Sequence, residues 1–213
     1  MDNREIYIVG AGTYGETMLE LAEILGYKVK AFYDEDDNKQ NEFIMGIEVI
    51  GKFSDLLNED IKDKQFIVAI GNNKVRNNIM RKINKLGGRT PTLIHPTAVI
   101  SPSAEIGQGV YIQANAYIWT KVKVNDFCII SPGVVIAHHS IIGKACLIST
   151  LTGVGASIKI EDNVFTGMGS TIVTGLSIIG QNSVIGAGAV VLKDVEKNCV
   201  YVGVPAKKIK ETI

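Results

Sequence analysis

Two adjacent histidines, His138 and His139, are the residues of this chain best suited to chemistry near neutral pH. They interrupt an apolar segment that runs from Val135 to Gly143. Imidazole titrates near neutrality, so it can accept a proton from an attacking nucleophile and release it later. A corner histidine that makes only surface hydrogen bonds fits the same position. The third histidine, His95, precedes Pro96 and is interpreted as a hydrogen-bonded structural link.

A metal site is the other chemistry that neighbouring histidines suggest. Zinc needs three or four His, Cys or carboxylate ligands around one ion, and two adjacent histidines with a distant third do not supply them. The three cysteines, Cys128, Cys146 and Cys199, form no CxxC motif. We therefore expect no metal and a reduced, cytoplasmic setting.

A glycine-rich turn near the N-terminus is the second candidate site. An apolar run over residues 6–9 leads into the turn at 10–15, which reads GAGTYG, and then into a helical pattern over 16–25. In this context the backbone can approach a diphosphate, and the helix N-terminus favours its negative charge. Further strands are predicted at 29–33, before Asp34 and Glu35, and at 65–70, before Gly71. With a helix over 74–86, they form a small βαβαβ unit of the Rossmann kind.

The glycine motif allows more than one interpretation. Taken alone, it predicts NAD, with Asp34 beside the ribose. The unit spans only about 90 residues, roughly half of a dinucleotide fold, and no dehydrogenase half follows it. A nucleotide-sugar site and a purely structural nucleotide fold are the alternatives.

Composition excludes several classes of partner. The 213 residues carry a formal net charge of zero, which gives no electrostatic footprint for nucleic acid or an anionic membrane. No apolar run approaches the roughly 20 residues of a membrane span. The polar start over residues 1–5 predicts no signal peptide. We expect neither nucleic-acid binding nor membrane insertion.

A six-residue repeat organises the chain from about Ile94 to Ile172. The positions in this register are Ile94, Ile100, Ile106, Ile112, Ile118, Val124, Ile130, Ile136, Ile142, Ile148, Val154, Ile160, Thr166 and Ile172. An α-helix cannot use a period of six, and a lone strand needs a period of two. Three flat sides close a triangular coil of about eighteen residues, so the branched side chains stack along its axis. The register slips by one residue before Ile179.

Four segments, at residues 6–11, 69–73, 93–96 and 203–207, together with this repeat, resemble a known family. The chain is similar to the bacterial sugar acyltransferases of the left-handed β-helix, hexapeptide-repeat type, which modify UDP-4-amino sugars or sialic acids. The resemblance implies a Rossmann-like nucleotide-sugar-binding domain at 1–92. A left-handed parallel β-helix is implied at 93–213.

The resemblance also implies site residues. His138 takes the place of the catalytic base, and His139 takes the supporting place, where relatives have an acidic residue. The predicted substrate-binding residues are Gly12, Thr13, Tyr14, Asp34, Glu35 and Gly71. Contacts to acetyl-CoA are predicted at small corners on successive coils after His138, namely Gly155, Ala156, Gly167, Met168, Gly186 and Ala187.

The activity that the resemblance implies is acetyl-CoA-dependent N-acetylation of a UDP-linked 4-amino-4,6-dideoxy sugar. We expect direct attack of the amine on the thioester, since no Ser or Cys is arranged as a nucleophile. An O-acetyltransferase of a sugar hydroxyl, as in sialic acid, and a non-catalytic nucleotide-sugar-binding scaffold are the alternatives.

A homotrimer is the assembly that the resemblance implies, with His138 of one chain facing a CoA slot shared with the next. Closed symmetry of this kind limits growth to a ring. Large side chains outside the inward register are expected to be exposed and to mark the partner surface. These are Tyr111, Tyr117, Trp119, Phe127 and Met168.

Overall fold

The computed structural model of the protein describes residues 4–212. The chain divides into two compact units, Met1–Leu93 and Ile94–Ile213. This division lies one residue beyond the boundary expected from the sequence. Within the described residues, no helix is both long and apolar enough to cross a membrane.

The first unit is an α/β fold. Its elements are β1 (Glu5–Val9), α1 (Thr13–Ile24), β2 (Lys28–Tyr33), a 3₁₀ turn (Asp37–Lys39), β3 (Phe43–Ile44), β4 (Ile47–Gly51), α2 (Phe53–Leu56), β5 (Phe66–Val68) and α3 (Asn73–Lys85). The strand order is β3-β4-β2-β1-β5, and β3 is antiparallel to β4 while the other pairs are parallel. The sequence predicted β1, β2, β5 and the two long helices, but not the β3–β4 hairpin or α2, which are too short to show a period.

The order of the parallel strands creates a crevice. Strands β2 and β5 lie on opposite sides of β1, so the chain leaves β1 in one direction and later returns on its other side. Ligands bind at the carboxyl ends of parallel strands at such a switch point. The turn after β1 is held tight by Gly15, because a Cβ there would lie 2.2 Å from the carbonyl oxygen of Gly10.

The second unit is built from two-residue strands. They are β6 (Leu93–Ile94), β7 (Val99–Ile100), β8 (Glu105–Ile106), β9 (Tyr111–Ile112), β10 (Tyr117–Ile118), β11 (Lys123–Val124), β12 (Ile129–Ile130), β13 (Val135–Ile136), β14 (Ile141–Ile142), β15 (Leu147–Ile148), β16 (Gly153–Val154), β17 (Lys159–Ile160), β18 (Phe165–Thr166), β19 (Thr171–Ile172), β20 (Ile178–Ile179), β21 (Val184–Ile185) and β22 (Val190–Val191). The longer strands β23 (Cys199–Val202) and β24 (Lys207–Glu211) follow, and they pair with each other in antiparallel fashion.

Three sheets form the sides of the coil. Side 1 runs β24-β23-β21-β18-β15-β12-β9-β6, side 2 runs β22-β19-β16-β13-β10-β7 and side 3 runs β20-β17-β14-β11-β8. Residues 18 apart pair in parallel, as Ile118 does with Ile136. After the predicted slip, Ile160 pairs with Ile179 instead. The inward branched side chains form one buried cluster along the axis. This is the three-sided β-helix that the repeat predicts.

The corners between sides impose a backbone conformation on every sixth residue. The residues with positive φ at these corners are Gly109, Asn115, Lys121, Phe127, Gly133, His139, Ala145, Leu151, Ser157, Asn163, Gly169 and Gly175. Side chains with a Cβ disfavour this left-handed region, and Gly and Asn tolerate it best. The φ of His139 is 63°. The repeat thus fixes the backbone that carries this histidine.

Two of the five side chains expected to be exposed are buried. Tyr111 is 0% and Phe127 is 7% exposed. Tyr111 lies on side 1, where the neighbouring outward residue Ile129 is also buried, so an outward position there is not a solvent-facing one. Tyr117, Trp119 and Met168 are 42%, 37% and 58% exposed.

Candidate active site

His138 and His139 form a pair at the corner that leads from side 2 to side 3, which we call the second corner. Their Nδ1 atoms lie 3.1 Å apart, and the two rings meet edge to face with centroids 5.2 Å apart. Adjacent coils hold the backbone. The carbonyl of His138 accepts from the amide of Ser157 at 3.0 Å, and the amide of His139 donates to the carbonyl of Thr120 at 3.0 Å. Both rings are exposed.

The short distance between the Nδ1 atoms links the tautomers of the two rings. One nitrogen must donate and the other must accept. If His138 donates from Nδ1, its Nε2 carries a lone pair and can act as a base. The pair stays favourable when Nε2 gains a proton, because a cationic ring donates a stronger hydrogen bond to a neutral acceptor. His139 can therefore orient His138 in the role that a carboxylate plays elsewhere.

Two buried groups that could otherwise act as nucleophiles are engaged in the fold, the hydroxyl of Ser140 at this corner and the thiol of Cys146 farther along the coil. Ser140 is buried, and its Oγ donates to the carbonyl of Gly155 at 2.8 Å and accepts from the amide of Ile158 at 3.1 Å. Cys146 is buried as well, and its burial raises its pKa well above the ordinary thiol value. These groups lack the features of an activated nucleophile.

Two aromatic rings extend the row of imidazoles. Trp119 lies one coil before the histidines, and its ring centroid is 6.2 Å from that of His138. On the other side of Trp119, the ring of Tyr117 lies at 5.4 Å. The sequence pattern marked both residues as exposed, but it did not predict that Trp119 adjoins His138 or that Tyr117 adjoins Trp119.

The residues expected to contact CoA divide between two corners. Ala156 is 18 residues after His138 and stacks on it at the second corner, together with Gly155. The other four follow strands of side 1 and stack at the first corner, between sides 1 and 2; they are Gly167, Met168, Gly186 and Ala187. The expectation that all six follow His138 on successive coils is therefore wrong. Gly155 and Gly167 are only 12 residues apart, which is two sides of one coil.

Close coil packing explains why two of these corner residues are glycines. A Cβ on Gly155 would lie 2.5 Å from the amide nitrogen of Thr174, and one on Gly167 would lie 2.4 Å from that of Ala187. Any side chain at either position would push the next coil away. The fold requires these glycines regardless of CoA.

The glycine turn opens on a cavity in the first unit, at the carboxyl ends of β1, β2 and β5. Its volume is about 330 Å³. Four of the predicted substrate-binding residues line it, namely Gly12, Asp34, Glu35 and Gly71. A Cβ at Gly12 would meet no atom of residues 4–212 within 4 Å, so space at this glycine is open.

The two remaining predicted residues, Thr13 and Tyr14, are not among the residues that line the cavity. Thr13 is the exposed first residue of α1. Tyr14 is turned into the fold, and burial raises its pKa above the ordinary value, an effect that the charge of Arg76 partly opposes. The glycine motif placed Thr13 and Tyr14 in the turn, but the helical backbone directs these two side chains away from the cavity.

Both acids after β2 brace the rim of the cavity. The Oδ2 of Asp34 accepts from the amide of Ala11 at 2.7 Å and from Lys39 Nζ at 3.2 Å, and its Oδ1 accepts from the amide of Asp36. Partial burial opposes ionisation, but these hydrogen bonds outweigh it and lower the pKa of Asp34. Glu35 accepts from the amide and hydroxyl of Ser54. In this structure the acids hold loops, a role that the sequence did not predict.

Two residues that shape or line the cavity, Arg76 and Lys39, were not predicted as site residues from the sequence. Arg76 is fully buried and donates to the carbonyls of Ile70 at 3.0 Å and Gly71 at 3.3 Å, and to Asn73 Oδ1 at 2.8 Å. It thereby shapes the loop that closes the cavity after β5. The sequence feature that could have revealed Arg76 is its position among the residues of α3 that face the core. Lys39 places a cation in the cavity wall.

The remaining histidine has a local role. His95 Nδ1 accepts from the amide of Thr97 at 3.1 Å and lies 2.9 Å from its hydroxyl. This matches the structural link expected from the sequence. Among residues 4–212, no cluster of three or more His, Cys, Asp or Glu side chains is arranged to hold a metal ion.

Comparison with known proteins identifies the family. Residues 5–83 match the PglD N-terminal domain family, and residues 89–213 match the GMPPB C-terminal domain family. The chain is 31% identical over 188 residues to GDP-perosamine N-acetyltransferase of Escherichia coli O157:H7, which covers 85% of this chain and 82% of that protein. The chain belongs to the sugar acyltransferases of the hexapeptide-repeat type. The predicted family is therefore confirmed.

Solved structures of this family share the whole architecture. PerB of Caulobacter crescentus, in complex with CoA and GDP-perosamine, is 30% identical, with a TM-score of 0.86 over 96% of this chain and 97% of that one. The acetyltransferase domain of PglB from Neisseria gonorrhoeae, in complex with acetyl coenzyme A, is 29% identical, with a TM-score of 0.70 over 97% of this chain and 100% of that one. The predicted Rossmann-like unit followed by a left-handed β-helix is confirmed.

Other curated relatives are matched over less of their length. UDP-N-acetylbacillosamine N-acetyltransferase of Bacillus subtilis is 32% identical over 120 residues, which is 52% of this chain and 52% of that protein. A serine acetyltransferase of Synechococcus elongatus is matched over 41% of its length. For several of the curated relatives that it matches, the chain spans only about a quarter to about half of their length.

Proposed function

We propose that the protein transfers an acetyl group from acetyl-CoA to the amino group of a nucleotide-linked amino sugar. The observation that carries this proposal is the His138–His139 pair, which leaves the Nε2 of an exposed imidazole available as a base. The nucleotide cavity of the first unit supports it. So do the relatives named above, of which one is bound to both CoA and GDP-perosamine.

The reaction follows from direct attack. The amine nitrogen adds to the thioester carbonyl carbon, and a C–N bond forms as the C–S bond breaks. His138 accepts the proton that nitrogen sheds, and the departing CoA thiolate takes a proton to become the thiol. Such a base contributes about 10²- to 10⁴-fold to the rate. An acyl-enzyme is not needed.

The nucleotide cavity suits the diphosphate of the acceptor. The N-terminus of α1 lies at this turn, where the positive end of the helix dipole favours a diphosphate, and Gly12 leaves the approach open. Lys39 adds a cation. We propose Gly12, Asp34, Glu35 and Gly71 as the residues around the nucleotide. Asp34 and Glu35 act by holding the rim.

The acceptor proposed from the sequence is a UDP-linked 4-amino-4,6-dideoxy sugar. GDP is a second candidate for the carrier nucleotide. It is favoured because two of the relatives matched over most of this chain are a GDP-perosamine N-acetyltransferase and PerB bound to GDP-perosamine. The relative named for UDP-N-acetylbacillosamine is matched over a shorter part.

Release of thiol from acetyl-CoA, measured against a panel of acceptors, tests this function. The panel contains UDP- and GDP-linked 4-amino sugars, their 4-hydroxy analogues, and free sialic acid. We expect turnover with one amino-sugar nucleotide and at least about a hundredfold less with its hydroxy analogue, because a neutral amine is a stronger nucleophile than an alcohol. Turnover of sialic acid alone would favour O-acetylation. Binding without thiol release across the panel would favour a non-catalytic scaffold.

Assembly is the second part of the proposal. Side 2 presents the exposed apolar residues Val99, Tyr117 and Val135, whereas side 3 presents charged residues such as the Lys123–Glu105 pair. An apolar side suits a surface between copies. We propose a homotrimer in which the second corner of one chain meets the first corner of the next. That arrangement would bring His138 close to Met168 and Ala187 of the neighbour. It would also explain why, within one chain, His138 and these two residues lie at different corners.

Mixed trimers test the shared site. Chains with His138→Ala are refolded with chains carrying Ala187→Trp, an exposed position where a larger side chain does not disturb the coil. Gly155 is unsuitable for such a block because the next coil is too close. Each variant alone should be inactive, and random mixing should restore about a quarter of the sites. Light scattering should give about three times 23.0 kDa. An active monomer, or no recovery in verified mixed trimers, would overturn the arrangement.

A further inference from the structure

The chain has a single tryptophan, and it stands beside the imidazole pair. Trp119 lies at the second corner, where its amide donates to the carbonyl of Ile136 on the coil that carries the histidines. Its ring lies between two others, with centroids 5.4 Å from Tyr117 and 6.2 Å from His138. About a third of Trp119 is exposed, so one part packs on the coil and another faces solvent.

This row of rings has the chemistry of a site for an amino sugar. The C–H face of a pyranose is apolar and stacks on aromatic rings. A primary amine on such a sugar is largely protonated near neutral pH, as an α-amino group is. The negative face of an indole attracts a cation more strongly than any other side-chain ring. The imidazole next to it can then remove the proton.

We propose that Trp119, backed by Tyr117, binds the amino-sugar ring of the acceptor and attracts its ammonium group toward His138. The inference rests on the proposed function and adds the residue that selects an amine over a hydroxyl. An alcohol of the same shape gains the stacking contact but not the attraction of a cation to the ring. Trp119 therefore determines specificity, whereas His138 carries out the proton transfer.

The proton count is consistent with this role. The sugar enters as R–NH₃⁺, and one proton leaves through His138 to solvent before the amine attacks. The second proton passes from nitrogen to His138 as the C–N bond forms, and His138 gives it to the CoA thiolate as the C–S bond breaks. The products are the amide, CoA–SH and one released proton, so no further reactant is required.

A sugar fits these rings better than a second copy of the chain does. Stable protein interfaces bury about 800 Å² on each partner. The exposed part of Trp119 at the corner supplies far less, and it adjoins a pair of polar imidazoles rather than more apolar surface. The residues that do suit such an interface, Val99, Tyr117 and Val135, lie in register on the flat of side 2, where Tyr117 supports the Trp119 ring from beside the corner.

Fluorescence of the wild-type protein tests the site directly, because all tryptophan emission comes from Trp119. The amino-sugar nucleotide that turns over should change the emission, with a midpoint equal to the Kd measured by calorimetry. The matching nucleoside diphosphate, which lacks the sugar, should bind without changing it. An equal change with the diphosphate alone would overturn the inference. The inference would also be overturned if a bound amino sugar left the emission unchanged, or if the emission changed only when the protein dissociated on dilution.

Kinetics of two variants complete the test. Trp119→Ala should raise KM for the amino-sugar nucleotide about tenfold, and Trp119→Phe about threefold, while KM for acetyl-CoA stays unchanged. The advantage of the amine over its 4-hydroxy analogue should also shrink, but by less than these factors, because the analogue loses the stacking contact as well. Phe43→Ala, which removes an exposed ring in the first unit, is the control and should have no effect. An unchanged amine preference in Trp119→Ala would overturn the inference.

The two proposals fail in different ways. If no amino-sugar nucleotide binds or turns over, the proposed function falls and this inference falls with it. If the wild type turns over an amino-sugar nucleotide and Trp119→Ala has the same KM and amine preference, the proposed function stands and only this inference is wrong. Circular dichroism and thermal unfolding of each variant show whether the coil is intact, and Trp119→Phe keeps a ring in place should the alanine variant unfold.

Discussion

Replacing His138 by alanine should lower kcat by about 10²- to 10⁴-fold, because the group that accepts the amine proton is lost. KM for acetyl-CoA should change little, since the corner backbone is held by bonds to the neighbouring coils and not by the ring. Steady-state thiol release and calorimetry with CoA measure the two quantities. His95→Ala is the matched control, because the imidazole of that histidine accepts from the amide of Thr97 in its own turn. Full activity of His138→Ala would eliminate the mechanism.

The same experiment separates the roles of the two histidines. His139→Ala should reduce kcat about tenfold, the equivalent of one hydrogen bond of about 1.4 kcal/mol. His139→Asn should restore most of that loss. Its Oδ1 stands at the same branch of the side chain as Nδ1, and Asn tolerates the positive φ of this corner. If His139→Ala costs more than His138→Ala, the assignment of base and orienting residue must be reversed.

Replacing Gly12 by valine should raise KM for the sugar nucleotide at least about tenfold, with kcat changed much less. The side chain would occupy open space in the cavity, where a diphosphate needs its charge-assisted hydrogen bonds to the helix N-terminus. No atom of residues 4–212 would collide with the new Cβ, so the first unit should still fold. Kinetics with saturating acetyl-CoA measure the change.

Thr17→Val provides the control for Gly12→Val, because it places the same isopropyl group farther along α1 and outside the cavity. Its KM should match the wild type. Calorimetry adds an independent readout: the wild type should bind the UDP- or GDP-linked sugar and not NAD. Tight binding of NAD without binding of either sugar nucleotide would refute the nucleotide assignment.

Local sequence determined the fold of the second unit, because the six-residue repeat is kept over so many positions. A branched residue at every sixth position is incompatible with a helix or an isolated strand, so the β-helix follows from counting alone. The same counting located the slip before Ile179, which the strand pairing confirms. The strand–glycine–helix order located the nucleotide turn for a similar reason, since a sharp turn of this kind needs Gly10 and Gly15 whatever lies around it.

Tertiary structure decided how side chains were used, because contacts between distant residues leave no local period. Asp34 could be placed after β2, but only the fold brings Ala11 and Lys39 to its carboxylate. The closeness of Trp119 to His138 likewise needs two stacked coils. Sequence fixes the repeat through backbone geometry, and packing between coils then decides which side chains meet.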